Sequence, residues 1–418
     1  MQSTVVEKPY VFVPPDRGTF WYRLIRFTNL HGRYLRKNEG VVAHEIRGVE
    51  KLCQSLEAGH GIMLAPNHCR LADPLLFGYL TGAANCLNYS MASWHLFNQS
   101  RLMSWVLPRA GAFSVNRDGI DRKAINTAIE ILAEAERPLV IFPEGATSRT
   151  NDRLHALLDG VAFIARTAAK KREKTVEAGK VVVHPVAIKY LFHGDIVAVV
   201  DDVLTDIEHR LTWRAQRELS LLERIVKVGS ALLGLKEHEY FGSSKSGNLG
   251  ERLIELTNRL LHPLEVEWLG GPQEGSVVPR VKSVRMKVMP EMVKGEIDEM
   301  ERTRRWAQLS DLDLAQSLSC YLPDYLVERF TADRILETVE RFEEDIMDRV
   351  RVHGKLKAII QVGDAIEVSP KRDRSTESDP LMTRIEDDLQ GMLDVLAGES
   401  KLLDHATPAQ VDPKTLDR

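Results

Sequence analysis

The stretch AINTAIEILAEAERPLVIFPEG, residues 124–145, contains a complete helix-then-strand unit. Its first part repeats apolar residues about every 3.6 positions, which predicts an amphipathic helix, and PLVIF then predicts a short buried strand. The order recurs downstream, where LHALLDGVAFIARTAAKK (154–171) predicts a helix and KVVVHPVAIKY (180–190) a strand. Alternating helices and short apolar strands indicate an α/β fold with a mostly parallel central sheet flanked by helices.

A further unit lies upstream. IMLA (62–65) predicts a buried strand that ends just before His68. DPLLFGYLTG (73–82) then predicts a helix, with Asp73 at its cap and Pro74 at the first helical position. His68 therefore falls on a turn between a strand and a helix.

The character of the sequence changes near residue 204. Long charged amphipathic segments such as ADRILETVERFEEDIMDRV (332–350) predict helices, before KLKAIIQVGDAIEVSP (355–370) returns to strand-like alternation. We predict a large helical insertion before the last strand; the alternative is a separate C-terminal helical domain with one stray strand. The predicted divisions are an N-terminal amphipathic segment (1–45), an α/β core (46–203), the insertion (204–354), the last strand and C-terminal helix of the core (355–400), and a disordered tail (401–418).

Composition excludes several classes of protein. The chain has 418 residues, 44% of them hydrophobic, which suffices for a substantial core. A net charge of -4 gives no support for a nucleic-acid binder. The four cysteines lack metal-like spacing and are too few for a disulfide framework, which indicates a reducing compartment. Neither a secretory signal nor an apolar window long enough to span a bilayer is recognisable, so we expect a soluble or peripheral protein.

The segment RGTFWYRLIRFTNLHGRYLRK, residues 17–37, combines six basic residues and no acidic one with aromatic and aliphatic residues at near-helical spacing. This combination suits a helix lying in a lipid interface, with its arginines at the headgroups. A helix packed on the protein's own core fits equally well, since the period does not say what the apolar face contacts.

His68 is the one histidine of the thirteen that is followed five positions later by an aspartate, Asp73. On a regular helix two residues five apart diverge by about 140°, so the pair meets only if His68 lies on the turn and Asp73 at the helix start. Two interpretations are open from this stretch. The pair is catalytic, or Asp73 only caps the helix and His68 is an ordinary turn residue.

Two other segments end in polar residues where a strand of the same sheet is expected to end. GAFSVNR (111–117) ends at Arg117, and FPEGATSR (142–149) leaves its strand through Pro-Glu-Gly and offers Arg149. Each arginine alone is also consistent with a solvated surface charge. Because ligands of α/β sheets gather outside the carboxyl ends of the strands, the two segments strengthen the catalytic interpretation of His68.

In their order, NHCRLAD (67–73), GAFSVNR, FPEGATSR and VVVHPVAIK (181–189) resemble the four blocks of the glycerolipid (lysophospholipid) acyltransferase family. The family includes glycerol-3-phosphate and 1-acylglycerol-3-phosphate acyltransferases. The resemblance covers roughly residues 46–203 and resumes at IIQVGDAIEV (359–368). The chain departs from the family pattern at Cys69-Arg70 after the histidine and at Ala146-Thr147 after Pro-Glu-Gly, where only Arg149 remains of the expected arginines.

The resemblance implies a role for each matched residue. His68 is the general base and Asp73 its orienting partner, while Arg117 contacts the phosphate of the acceptor. Pro185 of the fourth block is structural or lines the acyl channel. The headgroup is further bound by three residues of the third block, namely Glu144, Gly145 and Arg149.

The implied reaction moves a fatty acyl group from a thioester, either acyl-CoA or acyl carrier protein, to the hydroxyl of a lysophospholipid or glycerol phosphate in glycerophospholipid synthesis or remodelling. A neutral imidazole suits removal of the alcohol proton, and a carboxylate fixes its tautomer. The thiolate leaves readily, so we expect neither a metal nor a cofactor beyond the thioester. The expected location is the cytoplasm, peripheral on the cytoplasmic face of a membrane.

Three alternatives to an acyltransferase with His68 as its base are consistent with the same sequence. The chain could be a non-catalytic lipid-binding or scaffold protein that keeps the fold. It could be a lipid hydrolase or transacylase that uses the same base. Cys69, next to His68, could also serve as an acylated nucleophile, although neighbours on a turn seldom point the same way and a small buried cysteine is common.

Overall fold

The computed structural model describes residues 6–175, 179–373, 375 and 378–405. The strands of its sheet are β1 (Val41–Arg47), β2 (Gly61–Pro66), β3 (Tyr89–Ser93), β4 (Ala112–Val115), β5 (Leu139–Val140), β6 (Val181–Phe192), β7 (Leu356–Val362) and β8 (Ile366–Glu367). Their order is β1-β7-β6-β2-β5-β3-β4, with β8 also paired to β6. Strands β6, β2, β5, β3 and β4 are parallel, whereas β7 and β8 are antiparallel to β6 and β1 runs parallel to β7. The predicted mostly parallel α/β sheet is confirmed.

Helices cover both faces of this sheet. The helices that precede β6 are α1 (Phe20–Phe27), α2 (Leu30–Asn38), α3 (Val49–Glu57), α4 (Asp73–Ala83), α5 (Trp94–Asn98), α6 (Arg101–Arg109), α7 (Arg122–Glu134) and α8 (Gly160–Thr175). Successive residues of β2 point to opposite faces. Ile62 and Leu64 join one hydrophobic cluster, and Met63 and Ala65 join the cluster on the other face.

A large helical region follows β6, as predicted. Its helices are α9 (Ile196–Arg210), α10 (Leu221–Phe241), α11 (Leu249–Leu269), α12 (Val277–Lys294), α13 (Glu299–Leu318), α14 (Tyr325–Glu328) and α15 (Ala332–Met347), and α16 (Pro380–Ala397) follows β8. We call α10 to α13, residues 221–318, the helical module. Its interior is a hydrophobic cluster of its own, built around residues such as Leu256, Val284 and Leu312.

Consecutive helices around this module are joined by a recurring arrangement that we call the clasp. A buried glutamate near the end of one helix pairs with a buried arginine in the first turns of the next, and the pairs are Glu208–Arg224, Glu237–Arg252 and Glu265–Arg280. In each clasp the glutamate also accepts a backbone N–H from the connecting loop, at Gln216, Lys245 and Gln273 respectively. Each glutamate carboxylate thus pairs with the arginine and also accepts a loop N–H. These contacts fix the orientation of each helix relative to the preceding one.

The boundaries of the units differ from the predicted ones. Strand β1 begins at Val41, inside the predicted segment 1–45, because its largely half-exposed residues give no clean apolar alternation. Within the predicted insertion 204–354, α15 and the first half of α10 pack in the same cluster as the sheet. In the predicted tail 401–418, Leu402 bridges to Thr331, and residues 406–418 lie outside the described part of the chain.

The basic segment 17–37 forms two short helices, α1 and α2, separated by Asn29 in the left-handed conformation. Tyr22 and Leu35 are buried against the core, where the Tyr22 hydroxyl donates to Asn88 Oδ1 over 2.5 Å. Phe27 remains 88% exposed. The segment therefore packs on the core through one side and leaves aromatic residues uncovered on another. Across the residues that the structure describes, no helix has the length and apolarity needed to cross a bilayer.

Candidate active site

His68 lies in the loop between β2 and α4, at the carboxyl end of a central strand. Its Nδ1 is 2.9 Å from Oδ2 of Asp73, the first residue of α4. The loops that follow β4 and β5 carry Arg117 and Glu144, and because these strands run parallel to β2 their ends share one edge of the sheet. The contact between His68 and Asp73 is the geometry that catalysis by the pair requires.

The Asp73 carboxylate is fully buried and receives three hydrogen bonds. Oδ2 accepts the Arg70 backbone N–H over 2.9 Å in addition to the His68 ring, and Oδ1 accepts the Tyr190 hydroxyl over 2.7 Å. The prediction that Asp73 caps α4 is wrong, because Ala72 is the N-cap and no side chain caps the helix. The three donors turn the carboxylate toward His68 and away from the free amides of the helix.

Both sides of the His68 backbone are also held. The N–H donates to Glu144 Oε1 over 2.6 Å, and the carbonyl accepts the Ser148 N–H over 2.7 Å. The ring packs against Phe142 with its centroid 4.2 Å away. With Nδ1 donating to Asp73, the lone pair is on Nε2, which lies 3.4 Å from the Thr147 hydroxyl. The imidazole is thus fixed in orientation with one nitrogen left to accept a proton.

Glu144 joins two loops below His68. It is buried, and its second oxygen accepts the His155 N–H over 3.0 Å. Burial raises the pKa of Glu144 to about 8, although the two backbone donors act in the opposite direction. The helix predicted from residue 154 begins only at Gly160, because the bond from His155 and one from the Leu158 N–H to Pro143 O hold the preceding residues as a loop.

Gly145 requires its glycine and presents its carbonyl to Arg117. Its φ is 68°, and a Cβ there would lie 2.3 Å from Leu158 Cδ1. The carbonyl accepts a hydrogen bond from the Arg117 guanidinium. Within the ranges described, Arg117 makes no ion pair with a carboxylate, and burial together with nearby Arg285 lowers the pKa of its guanidinium. Arg117 is therefore a cation close to the site without a direct counter-charge.

Arg149, in contrast, is paired. Its Nη2 is 2.5 Å from Glu344 Oε2 on α15. On the same helix, Glu340 binds Arg70 at 2.7 Å. Two arginines of the motif loops are thus held by carboxylates from a helix that lies far along the chain, and α15 forms one wall of the site.

Beneath this wall lies a buried ionic network that the motif pattern did not predict. Lys189 on β6 is fully buried between Asp152 and Asp333, and Arg334 binds the other oxygen of Asp152 over 2.8 Å. The sequence signal for this network is Lys189, a charged residue within the otherwise apolar strand β6. The network joins β6, the loop after β5 and α15 into one support behind Asp73.

Cys69 is buried, and its thiol lies 3.9 Å from Asp73 Oδ1. Burial raises the pKa of this thiol well above its ordinary value. A nucleophilic cysteine needs the thiolate form and access to substrate. The geometry therefore favours His68 over Cys69 as the reactive group.

Comparison with known proteins agrees with this geometry. Residues 44–189 match the family model described as Acyltransferase. The segment contains His68, Asp73, Arg117 and the loop after β5. Through this segment the chain is similar to acyltransferases.

A curated relative is the 1-acyl-sn-glycerol-3-phosphate acyltransferase of Streptococcus pneumoniae, 31% identical over 107 residues. The aligned stretch covers 26% of this chain and 37% of the relative, so the match spans little more than a third of that protein. The matched segment ends at residue 189, before the helical module and α15. Those parts are therefore additions to the matched segment, and one of them supplies a wall of the site.

Proposed function

We propose that this protein is an O-acyltransferase that moves a fatty acyl group from acyl-CoA or acyl carrier protein to the hydroxyl of a lysophospholipid or glycerol phosphate. The observation that carries the proposal is the 2.9 Å contact between His68 Nδ1 and Asp73 Oδ2. It leaves Nε2 as a proton acceptor in the loop that the family match covers.

In the proposed reaction, His68 Nε2 takes the proton of the acceptor hydroxyl while its oxygen attacks the thioester carbon. Asp73 stabilises the imidazolium that forms, and Tyr190 and the Arg70 N–H hold Asp73 in place. The tetrahedral intermediate then collapses, the carbon–sulfur bond breaks, and the thiolate takes the proton from His68. The new ester and the free thiol leave the site.

Arg117 is the proposed contact for the acceptor phosphate. A guanidinium suits a phosphate because it donates parallel hydrogen bonds, and Arg117 has no carboxylate partner of its own among the described residues. Glu144 and Gly145 act indirectly in this scheme, by fixing the loop between Arg117 and His68. Arg149 shapes the same loop through its ion pair with Glu344.

The proposed substrate is reached at a membrane surface. Phe20, Phe27 and Leu30 are exposed on α1 and α2, and Trp105 of α6 is 43% exposed beside them, where it packs on Trp21. The basic residues of segment 17–37 surround these apolar side chains, a pattern typical of interfacial binding to anionic lipid. The four cysteines are free thiols, which fits the cytoplasmic face.

The test is thiol release from acyl-CoA by purified protein on liposomes that carry a panel of lysophospholipids, followed by analysis of the lipid product. We expect His68→Ala and Asp73→Asn to lower kcat by at least about 100-fold, the range typical of general-base catalysis. His209→Ala on the exposed end of α9 is the matched control and should behave as wild type.

Three results would change the assignment. No thiol release with any acceptor, or full turnover by His68→Ala, would refute the acyltransferase proposal. Thiol release in excess of product lipid at saturating acceptor would indicate a hydrolase. Loss of activity in Cys69→Ser equal to that in His68→Ala, with ping-pong kinetics, would indicate an acylated cysteine.

A further inference from the structure

Helix α12 of the helical module contacts the loop that carries Arg117. Arg285 is buried, and its Nε lies 2.8 Å from Oδ1 of Asp118, the residue next to Arg117. A second nitrogen of Arg285 lies 3.6 Å from Asp313 on α13. The module is therefore anchored, through a partly buried ion pair, beside the proposed phosphate contact.

Lys282 lies on the same face of α12, because it precedes Arg285 by three residues. In the described part of the chain its ammonium has no carboxylate or hydrogen-bond partner. Lys282 is exposed, and partial desolvation and the positive charge of Arg117 both lower its pKa, whereas Asp118 raises it. The side chain thus shares an electrostatic environment with Arg117 without being neutralised.

The charges around this contact do not balance. Arg285 engages both nearby carboxylates, Asp118 and Asp313. His95 on α5 also faces the cluster, and burial together with Arg117 and Arg285 lowers its pKa to about 4, so it is neutral near pH 7. Three cations, Arg117, Lys282 and Arg285, therefore face two carboxylates, which leaves one positive charge in excess. A phosphate monoester, with a charge of about -1.5 to -2 at pH 7, would offset that excess.

The position of the cluster favours the acceptor as the source of that phosphate. Arg117 donates to Gly145 O, and Thr147, two residues further on the same loop, contacts His68 Nε2. In a glycerol phosphate the hydroxyl that must reach His68 is only a few bonds from the phosphorus. A phosphate of the acceptor therefore has to lie close to the base, whereas the phosphates of a CoA donor are far from its thioester.

We propose that Lys282 completes the phosphate subsite, so that the acceptor phosphate is bound between Arg117 of the α/β core and α12 of the helical module. The inference rests on the proposed function and extends it. It gives the helical module a role in acceptor specificity, because Lys282 lies outside residues 44–189, the segment that matches the family model. Lys282 contacts the substrate in this scheme, and Arg285 positions it.

A first experiment needs no turnover. Full-length protein is acetylated with an amine-reactive reagent in the presence of glycerol 3-phosphate, of glycerol, or of CoA, and the modified lysines are quantified by mass spectrometry. We expect glycerol 3-phosphate to slow modification of Lys282 at least about threefold, and glycerol to have no effect. Lys287, exposed on another face of α12, is the internal control. Equal modification of Lys282 in all conditions, or protection by CoA alone, would overturn the assignment.

A second experiment separates the inference from the proposed function. Lys282→Ala should raise KM for a 1-acylglycerol 3-phosphate about tenfold and leave kcat and the KM for acyl-CoA within twofold, because a charge-assisted hydrogen bond is lost. Lys282→Arg should recover most of the affinity, and Lys287→Ala and the phosphate-free monoacylglycerol should show no change.

The outcomes are distinct. An active enzyme whose KM ignores Lys282 refutes the subsite and leaves the acyltransferase intact. An inactive protein in which glycerol 3-phosphate still protects Lys282 refutes the reaction and leaves the anion site.

Discussion

Helices α12 and α15 both reach the candidate site from the region after β6, yet they bring opposite charge. α15 offers Glu340 and Glu344, which hold Arg70 and Arg149. α12 offers Lys282 and Arg285 beside Arg117, where cations remain in excess. The first helix satisfies the arginines it contacts, and the second leaves positive charge unsatisfied.

This difference in charge distinguishes arginines that support a loop from an arginine that can bind a substrate anion. A neutralised arginine can shape a loop, but it has little electrostatic attraction left for a substrate anion. When an arginine has a second cation nearby and no carboxylate in contact, the two positive charges repel each other, and a bound anion lowers this electrostatic energy. For the proposed function, the surrounding charge favours a structural task for Arg149 and a binding task for Arg117.

The sharpest test of the comparison replaces two lysines with methionine, namely Lys189 of β6, which pairs with Asp333 of α15, and Lys282 of α12. Lys189→Met should lower the free energy of unfolding by about 3–5 kcal/mol, because Asp333 then loses its buried cation and Asp152 keeps only Arg334. Lys282→Met, at an exposed position of α12, should change it by less than about 0.5 kcal/mol. Urea denaturation of the two variants beside wild type measures both values, and equal losses would contradict the division into a supporting and a binding helix.

Glu337 on α15 gives a smaller, pH-dependent effect. Burial raises its pKa to about 8, so the folded protein holds this proton more tightly than the unfolded chain does. Its contribution to stability is full below the unfolded pKa of about 4.3 and is lost as the pH rises through 8. The free energy of unfolding should therefore fall by about 1 kcal/mol per unit between about pH 5.5 and 7.5.

The variant Glu337→Gln removes the titrating group and keeps an acceptor for the Tyr325 hydroxyl and the Asn151 N–H. Its unfolding free energy should vary less steeply with pH than that of wild type over the same interval. Denaturant titrations at several pH values measure the two slopes. Identical slopes would show that Glu337 is ionised in the folded protein.

The smallest effect is expected for Glu344→Gln, which releases Arg149. The pair is partly exposed, so its loss should reduce the free energy of unfolding by less than about 1 kcal/mol. The KM for a phosphorylated acceptor should change less than twofold, because Arg149 serves the loop. A large fall in KM would mean that the ion pair with Glu344 prevents Arg149 from binding a phosphate. The contrast between α12 and α15 would then fail.

The fold class and the contact between His68 and Asp73 can be argued from the sequence, since both depend on local patterns. Apolar period identifies the helix-then-strand units, and a turn followed by a helix start brings the two side chains into reach. Strand β1 escapes this reasoning because polar residues such as the exposed His44 and the half-exposed Glu45 mask its alternation. The short β3 escapes it for the same reason, with only Tyr89 fully buried.

The support around the pair could not be predicted, because it depends on contacts between distant parts of the chain. Tyr190 looks like the end of an apolar strand, and nothing local shows that its hydroxyl holds Asp73. Glu144 looks like a ligand for a headgroup, but its oxygens accept two backbone N–H groups. Charge pairing from α15 appears only once the helix is placed on the sheet.

The clasps between consecutive helices have a consequence for how this protein can change over generations. Arg224, Arg252 and Arg280 recur at equal intervals, and within the described ranges each forms ion pairs only with the helix immediately before it. A duplication or deletion of one such link preserves the ionic pairing of the others. The sheet has no such tolerance, since β1 lies beside β7 from the opposite end of the chain. Evolution can therefore lengthen or shorten one part of this molecule by whole links while the catalytic scaffold stays fixed.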